Sequence, residues 1–156
     1  MSLAPDLTDT EDHTPPVARS VIAVVVGFLV IGVLAIGTDA IVKSAVPGVF
    51  GPDDRVDSVP WLLIIQLYVF VYAAFGCWLA ARMAPNRPMR HALILGALGV
   101  AFNIVGTIAL WDKMPAWYHI VALALVMPAA WVGGRICERQ LASVVGSSAI
   151  GNPTPA

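Results

Sequence analysis

The chain has 156 residues, 58% of them hydrophobic and only 12% charged. A soluble domain carries about 25% charged residues, and half that level leaves too little polar surface to keep a globule in water. A net charge of −1 gives no basic footprint for nucleic acid, and Cys77 and Cys137, far apart in sequence, form no CxxC pair or disulfide framework.

With a mean hydropathy of +0.80, the class is integral membrane protein in one compact domain. Residues 1–18 read as a disordered cytoplasmic leader, acidic at Asp6, Asp9, Glu11 and Asp12 and ending near Pro15-Pro16. A cleaved signal peptide would need a positive start and a shorter apolar core. A bilayer core of about 30 Å needs roughly 20 apolar residues in a helix. Four stretches of residues 19–135 qualify: Arg19–Val42, Pro60–Ala81, His91–Trp111 and Ala116–Gly134. The expected fold is thus all-α, a membrane bundle of four transmembrane helices. The link between the first two spans is long and acidic, whereas "RMAPNRPMR" and "DKMP" are tight. Residues 136–156 read as a cytoplasmic tail, with "RICERQLASVV" extending span four along the inner surface and disorder expected from Gly146.

Lys and Arg near span ends set orientation. Arg19, Arg82, Arg87, Arg90, Arg135 and Arg139 fall on one side; Lys43, Arg55 and Lys113 fall on the other. Both termini are therefore expected in the cytoplasm of a plasma, or inner, membrane. Trp61, Trp111 and Trp117 fall at the outer boundary, as an aromatic belt should. Cys77 and Cys137 are expected on the inner side, with Cys137 the more exposed.

A faint repeat suggests two tandem helical hairpins. "WLAAR" (Trp78–Arg82) ends span two and "WVGGR" (Trp131–Arg135) ends span four. Gly27 and Gly37-Thr38 of span one match Gly96 and Gly106-Thr107 of span three. Many transporters are built from repeats, although small and aliphatic residues recur in any membrane helix.

Asp39 is the one acid inside an oily segment, and such an acid is a functional candidate by default. It lies about 30 Å along the helix from Arg19, at the outer boundary. Lys43 is in reach of an i,i+4 pair, so an interfacial ion pair competes with ion coupling, which is expected nearer the midplane. Asn103 is deeper. With Ala92, Gly96, Gly99 and Gly106 it follows a 4-3-4-3 spacing on one helix face, a seam where another helix can approach closely and bond the amide. Gln66 reads as too near the outer side to be its partner. His91 and His119 start spans on opposite sides, so they share no metal and read as interfacial. Pro128 should kink span four. No nucleophile-base set or phosphate loop appears, so we expect no catalytic residue, metal or cofactor.

The runs "RPMRHALILGALG", "WDKMPAWY" and "MPAAWVGG" resemble small four-span bacterial inner-membrane proteins that carry no assigned activity. The resemblance covers roughly residues 75–135 and implies a four-span fold but no reaction. The functional expectation is a non-enzymatic accessory or structural subunit, in contact with the lipid bilayer and packing against another membrane protein or itself. The alternative is a small transporter or channel subunit, motivated by the repeat, Asp39, Asn103 and Pro128.

Overall fold

The computed structural model describes residues 16–84 and 87–150. The described chain folds into four helices: α1 (Pro16–Ala45), α2 (Val59–Met83), α3 (Pro88–Ala109) and α4 (Ala116–Ile150). All four are long and apolar enough to cross a bilayer, so the protein is an all-α, multi-pass membrane bundle. The expectations for residues 1–15 and 151–156 lie outside the described residues.

Prolines mark the helix starts. Pro16 opens α1, Pro60 lies in the first turn of α2, and Pro88 opens α3. There the missing N–H is one the helix could not have used. The sequence bounds need correction at the last helix. α4 runs on from the expected end at Gly134 to Ile150, through the stretch from Gly146 that was expected to be disordered. Its 35 residues reach about 52 Å at 1.5 Å per residue, well beyond a 30 Å bilayer core. α4 also continues unbroken through Pro128.

α2 is central and touches the other three helices, while α4 packs on α2 and α3. α2 and α4 are parallel. At one end Leu62 and Ile65 join Tyr118 in a core cluster; at the other Trp78 Nε1 donates to Gln140 Oε1 at 2.9 Å. Small residues set the spacing. A Cβ at Gly27 of α1 would stand 2.7 Å from the Gly76 carbonyl oxygen of α2. A Cβ at Gly133 of α4 would press on the Ala74 carbonyl and stand 2.8 Å from the Trp78 nitrogen. Helices without a hydrophobic drive between them associate through such close packing.

The core is divided between the end at the α2–α3 link, called inner after the orientation expected from the sequence, and the opposite end, called outer. The inner-end cluster is rich in small side chains: Cys77, Ala80, Ala81, Ala92, Ala130 and Cys137 around Leu95. Both thiols are buried, Cys137 at 0% exposure and Cys77 at 3%. Cys137 is therefore not the more exposed of the two, because α4 turns that face inward below the expected membrane edge. The outer-end cluster holds Val56, Leu62, Ile65 and Tyr118, with Phe50, Trp61 and Met114 against it.

The α1–α2 link caps that outer end. Val56 is fully buried, and its N–H donates to the Lys113 carbonyl at 3.1 Å. Lys113 Nζ reaches back to the Asp53 carbonyl at 2.5 Å. Lys43 pairs with Asp54, and this ammonium holds the exposed Asp54 carboxyl below its ordinary pKa. Arg55 pairs with Asp57 at 2.9 Å. The long acidic link is thus clipped to the short α3–α4 link.

The two WxxxR motifs adopt the same local form. Arg82 lies over the Trp78 ring at 6.0 Å and Arg135 over the Trp131 ring at 5.3 Å, as one helical turn places them.

Candidate functional site

Between the two core clusters the bundle is not filled. A cavity of about 200 Å³ is bounded by α2, α3, α4 and the start of the α3–α4 link. Its wall is mainly apolar, from residues such as Phe70, Leu110, Leu125 and Val126. Into it come Gln66 from α2, Asn103 and Thr107 from α3, and Tyr118 and His119 from α4. A few convergent polar groups in an apolar wall are the usual make-up of a small-molecule site.

Two of those side chains are nine-tenths or more buried, Gln66 at 7% exposure and His119 at 6%. The Gln66 Oε1 and His119 Nε2 atoms have no hydrogen-bond partner. A buried acceptor or donor left unsatisfied costs about 1–3 kcal/mol, and such groups in a native structure call for an explanation. The His119 ring is fixed by stacking on Trp111, centroids 5.4 Å apart and planes 15° apart, with Tyr118 edge-on at 5.9 Å. His119 stands at the start of α4, as the sequence placed it, and is buried there by aromatic packing. Gln66 Oε1 does not bond Asn103, in keeping with the difference in depth read from the sequence, although both side chains border this cavity.

A second cavity, of about 250 Å³, lies beside the first towards the inner end, lined by α1 as well as α2, α3 and α4. Its wall includes Phe28, Ile31, Leu95 and Phe102. Val69, Ala73, Asn103 and Val126 border both cavities.

The seam on α3 proves to be two things. Its inner part is internal packing. Ala92 is fully buried, and a Cβ at Gly96 would stand 2.6 Å from Ala130 Cβ and one at Gly99 3.2 Å from Val126 Cγ1. α4 is the helix that occupies it. Its outer part, Asn103 and Gly106, opens on the cavity, and a Cβ at Gly106 meets nothing within 4 Å.

Asp39 does not pair with Lys43, which turns to Asp54 in the link. The Asp39 carboxylate instead accepts a hydrogen bond from the Tyr68 hydroxyl of α2. One residue earlier, Thr38 Oγ1 and the Tyr72 hydroxyl are 3.0 Å apart, so two polar contacts fasten α1 to α2. Asp39 borders neither cavity. Asn at position 39 would keep an acceptor but lose the charge, and charge roughly doubles the strength of a hydrogen bond. Asp39→Asn should therefore cost about 1 kcal/mol, and Tyr68→Phe about 1.5–3 kcal/mol. In a double-mutant cycle read by detergent unfolding, Asp39 should couple to Tyr68 and not to Lys43. Coupling to Lys43 alone would restore the i,i+4 pair.

The fold is that of a multi-pass helical membrane protein whose bundle holds a mainly apolar cavity with a few polar side chains. No family model, no curated protein and no solved structure matches the chain.

Proposed function

We propose that the protein is a non-enzymatic membrane protein that holds a small molecule inside its bundle, as a small transporter or carrier would. The observation that carries this is a pair of side chains lining one cavity, Gln66 and His119, each with a buried polar atom that has no hydrogen-bond partner. A bundle built only to pack would gain by replacing both with apolar groups of the same shape. A ligand that bonds to them makes their presence intelligible. The accessory-subunit reading has less to stand on, since α4 of the same chain covers Ala92, Gly96 and Gly99.

Benzyl alcohol, a ring with one hydroxyl, is a suitable probe. In nanodiscs it should shift the His119 ring nitrogen resonances saturably, and Gln66→Met with His119→Phe should abolish saturable binding measured by ligand-observed NMR. Linear, unsaturable partitioning in wild type and variant alike would remove the reading.

The arginine-rich end is proposed to face the cytoplasm of a bacterial inner membrane, with both termini inside. Because Cys77 and Cys137 are buried, they cannot report this. A Ser58→Cys substitution in the outer cap should react with an impermeant maleimide added to intact cells; reaction only after lysis would invert the orientation.

A further inference from the structure

The two cavities differ in chemistry and share a wall. The outer one has five polar side chains, two of them with unpartnered buried atoms. The second has Asn103 and the Cys77 thiol as its only polar side chains, among aromatic and aliphatic ones. Four residues line both, with Asn103 at the boundary. No Asp, Glu, Lys or Arg lines either one among the described residues.

From this juxtaposition we infer that the two cavities are one site for a neutral single-chain amphiphile. Its hydrogen-bonding head lies at Gln66 and His119, and its apolar chain passes Asn103 into the space walled by Phe28, Ile31, Leu95 and Phe102. The inference rests on the ligand-holding reading above and adds the class of ligand.

Three arguments select that class. An ionised head would be desolvated with no countercharge in the wall, which is costly. A neutral hydroxyl or amide can donate to Gln66 Oε1. His119 Nε2 accepts or donates according to its tautomer, and a hydroxyl can complement either form. A ligand that is all head would leave the second cavity without an occupant, and a wholly apolar one would leave both polar atoms as they are. Each cavity alone is small against the roughly 300–1,000 Å³ of typical ligand pockets; joined, they enter that range. A chain removed from water gains about 0.8 kcal/mol per methylene, but the lipid around the bundle offers a chain the same gain. Discrimination against bulk lipid therefore falls to the head, where the unpartnered atoms are.

The test is photolabelling in nanodiscs with a 1-octanol carrying a diazirine at the chain end. The matching octanoic acid and octane diazirines serve as controls at equal bilayer concentration. The octanol probe should label saturably at Phe28, Ile31, Leu95 or Phe102 and be displaced by unlabelled 1-octanol. Gln66→Met with His119→Phe should lower that labelling about ten-fold, the scale of one hydrogen bond, and leave octane labelling unchanged. Gly32→Leu should push the chain end out of the second cavity. A Cβ at Gly32 meets nothing within 4 Å, so the substitution starts in open space, and it should leave benzyl alcohol binding at His119 intact.

Equal labelling by the acid would overturn the neutral head. Saturable octanol binding with the label confined to lipid-facing residues such as Val33 and Ile36 would overturn the shared site. In both cases benzyl alcohol binding would still uphold the ligand-holding reading. Failure of octanol and benzyl alcohol alike would remove both.

Discussion

Gly133→Ala should cost the bundle about 3 kcal/mol, and Gly133→Leu should leave no folded protein in detergent. A Cβ at position 133 would press on the Ala74 carbonyl oxygen, stand 2.8 Å from the Trp78 nitrogen and 3.0 Å from Cys77 Cβ. Two of these neighbours are backbone of α2, which cannot rotate aside as a side chain can. Overpacking costs typically 1–3 kcal/mol and occasionally more, and here α2, the helix pushed away, packs against all three of the others. The control is Gly106→Ala on α3, where the new methyl meets nothing within 4 Å. Ala is favoured over Gly in a helix by about 0.8–1.0 kcal/mol, so that variant should be neutral or slightly stabilised. Unfolding in mixed SDS micelles, followed by circular dichroism, measures both. A Gly133→Ala midpoint equal to that of wild type would mean that α2 and α4 are not in backbone contact.

The contrast between Gly133 and Gly106 shows what the sequence could and could not say. Span number, span position and the inner-end positions of Ala92, Gly96 and Gly99 were legible, because bilayer thickness and helical spacing act locally along the chain. Which helix fills a small-residue face is decided by three-dimensional packing. The same spacing that pointed to a seam therefore served equally for a contact with α4 and for an opening at Gly106. Asp39 was misread for a related reason: i,i+4 spacing offers Lys43, but tertiary contacts offer Lys43 a nearer acid in Asp54 and Asp39 a hydroxyl in Tyr68. His119 looked interfacial by its place at a helix start. Its burial there comes from Trp111 and Tyr118 packed on the ring, a contact that its place in the chain does not reveal. A signal for the cavity was present in the sequence. Asn103 and Thr107 stand one turn apart on α3, and Gln66 and His119 are further polar side chains in otherwise oily spans. Chain order alone did not bring the four together.

Gln66→Met and His119→Phe should each stabilise the empty protein, by about 1–2 kcal/mol, while removing its response to a ligand. Met follows the shape of Gln closely, and Phe, a somewhat larger flat ring, can still stack on Trp111 as the imidazole does. What they delete is an unpartnered buried polar atom, whose desolvation penalty is about 1–3 kcal/mol. Because the two side chains line one cavity, the double variant need not gain the sum of the single gains. The second half of the prediction has the opposite sign. At a benzyl alcohol concentration 100 times the dissociation constant, wild type should gain about 2.7 kcal/mol by mass action, and the double variant almost none. The order of stabilities should thus reverse between empty and loaded protein, provided that the gain on loading exceeds what the substitutions confer. If both variants are instead less stable than wild type by 1 kcal/mol or more without ligand, the amide and imidazole already have partners inside the bundle. Their burial is then structural, and the cavity loses the feature that marks it as a site. A stability order that reverses on loading separates a site kept at a cost from a polar contact that simply holds helices together.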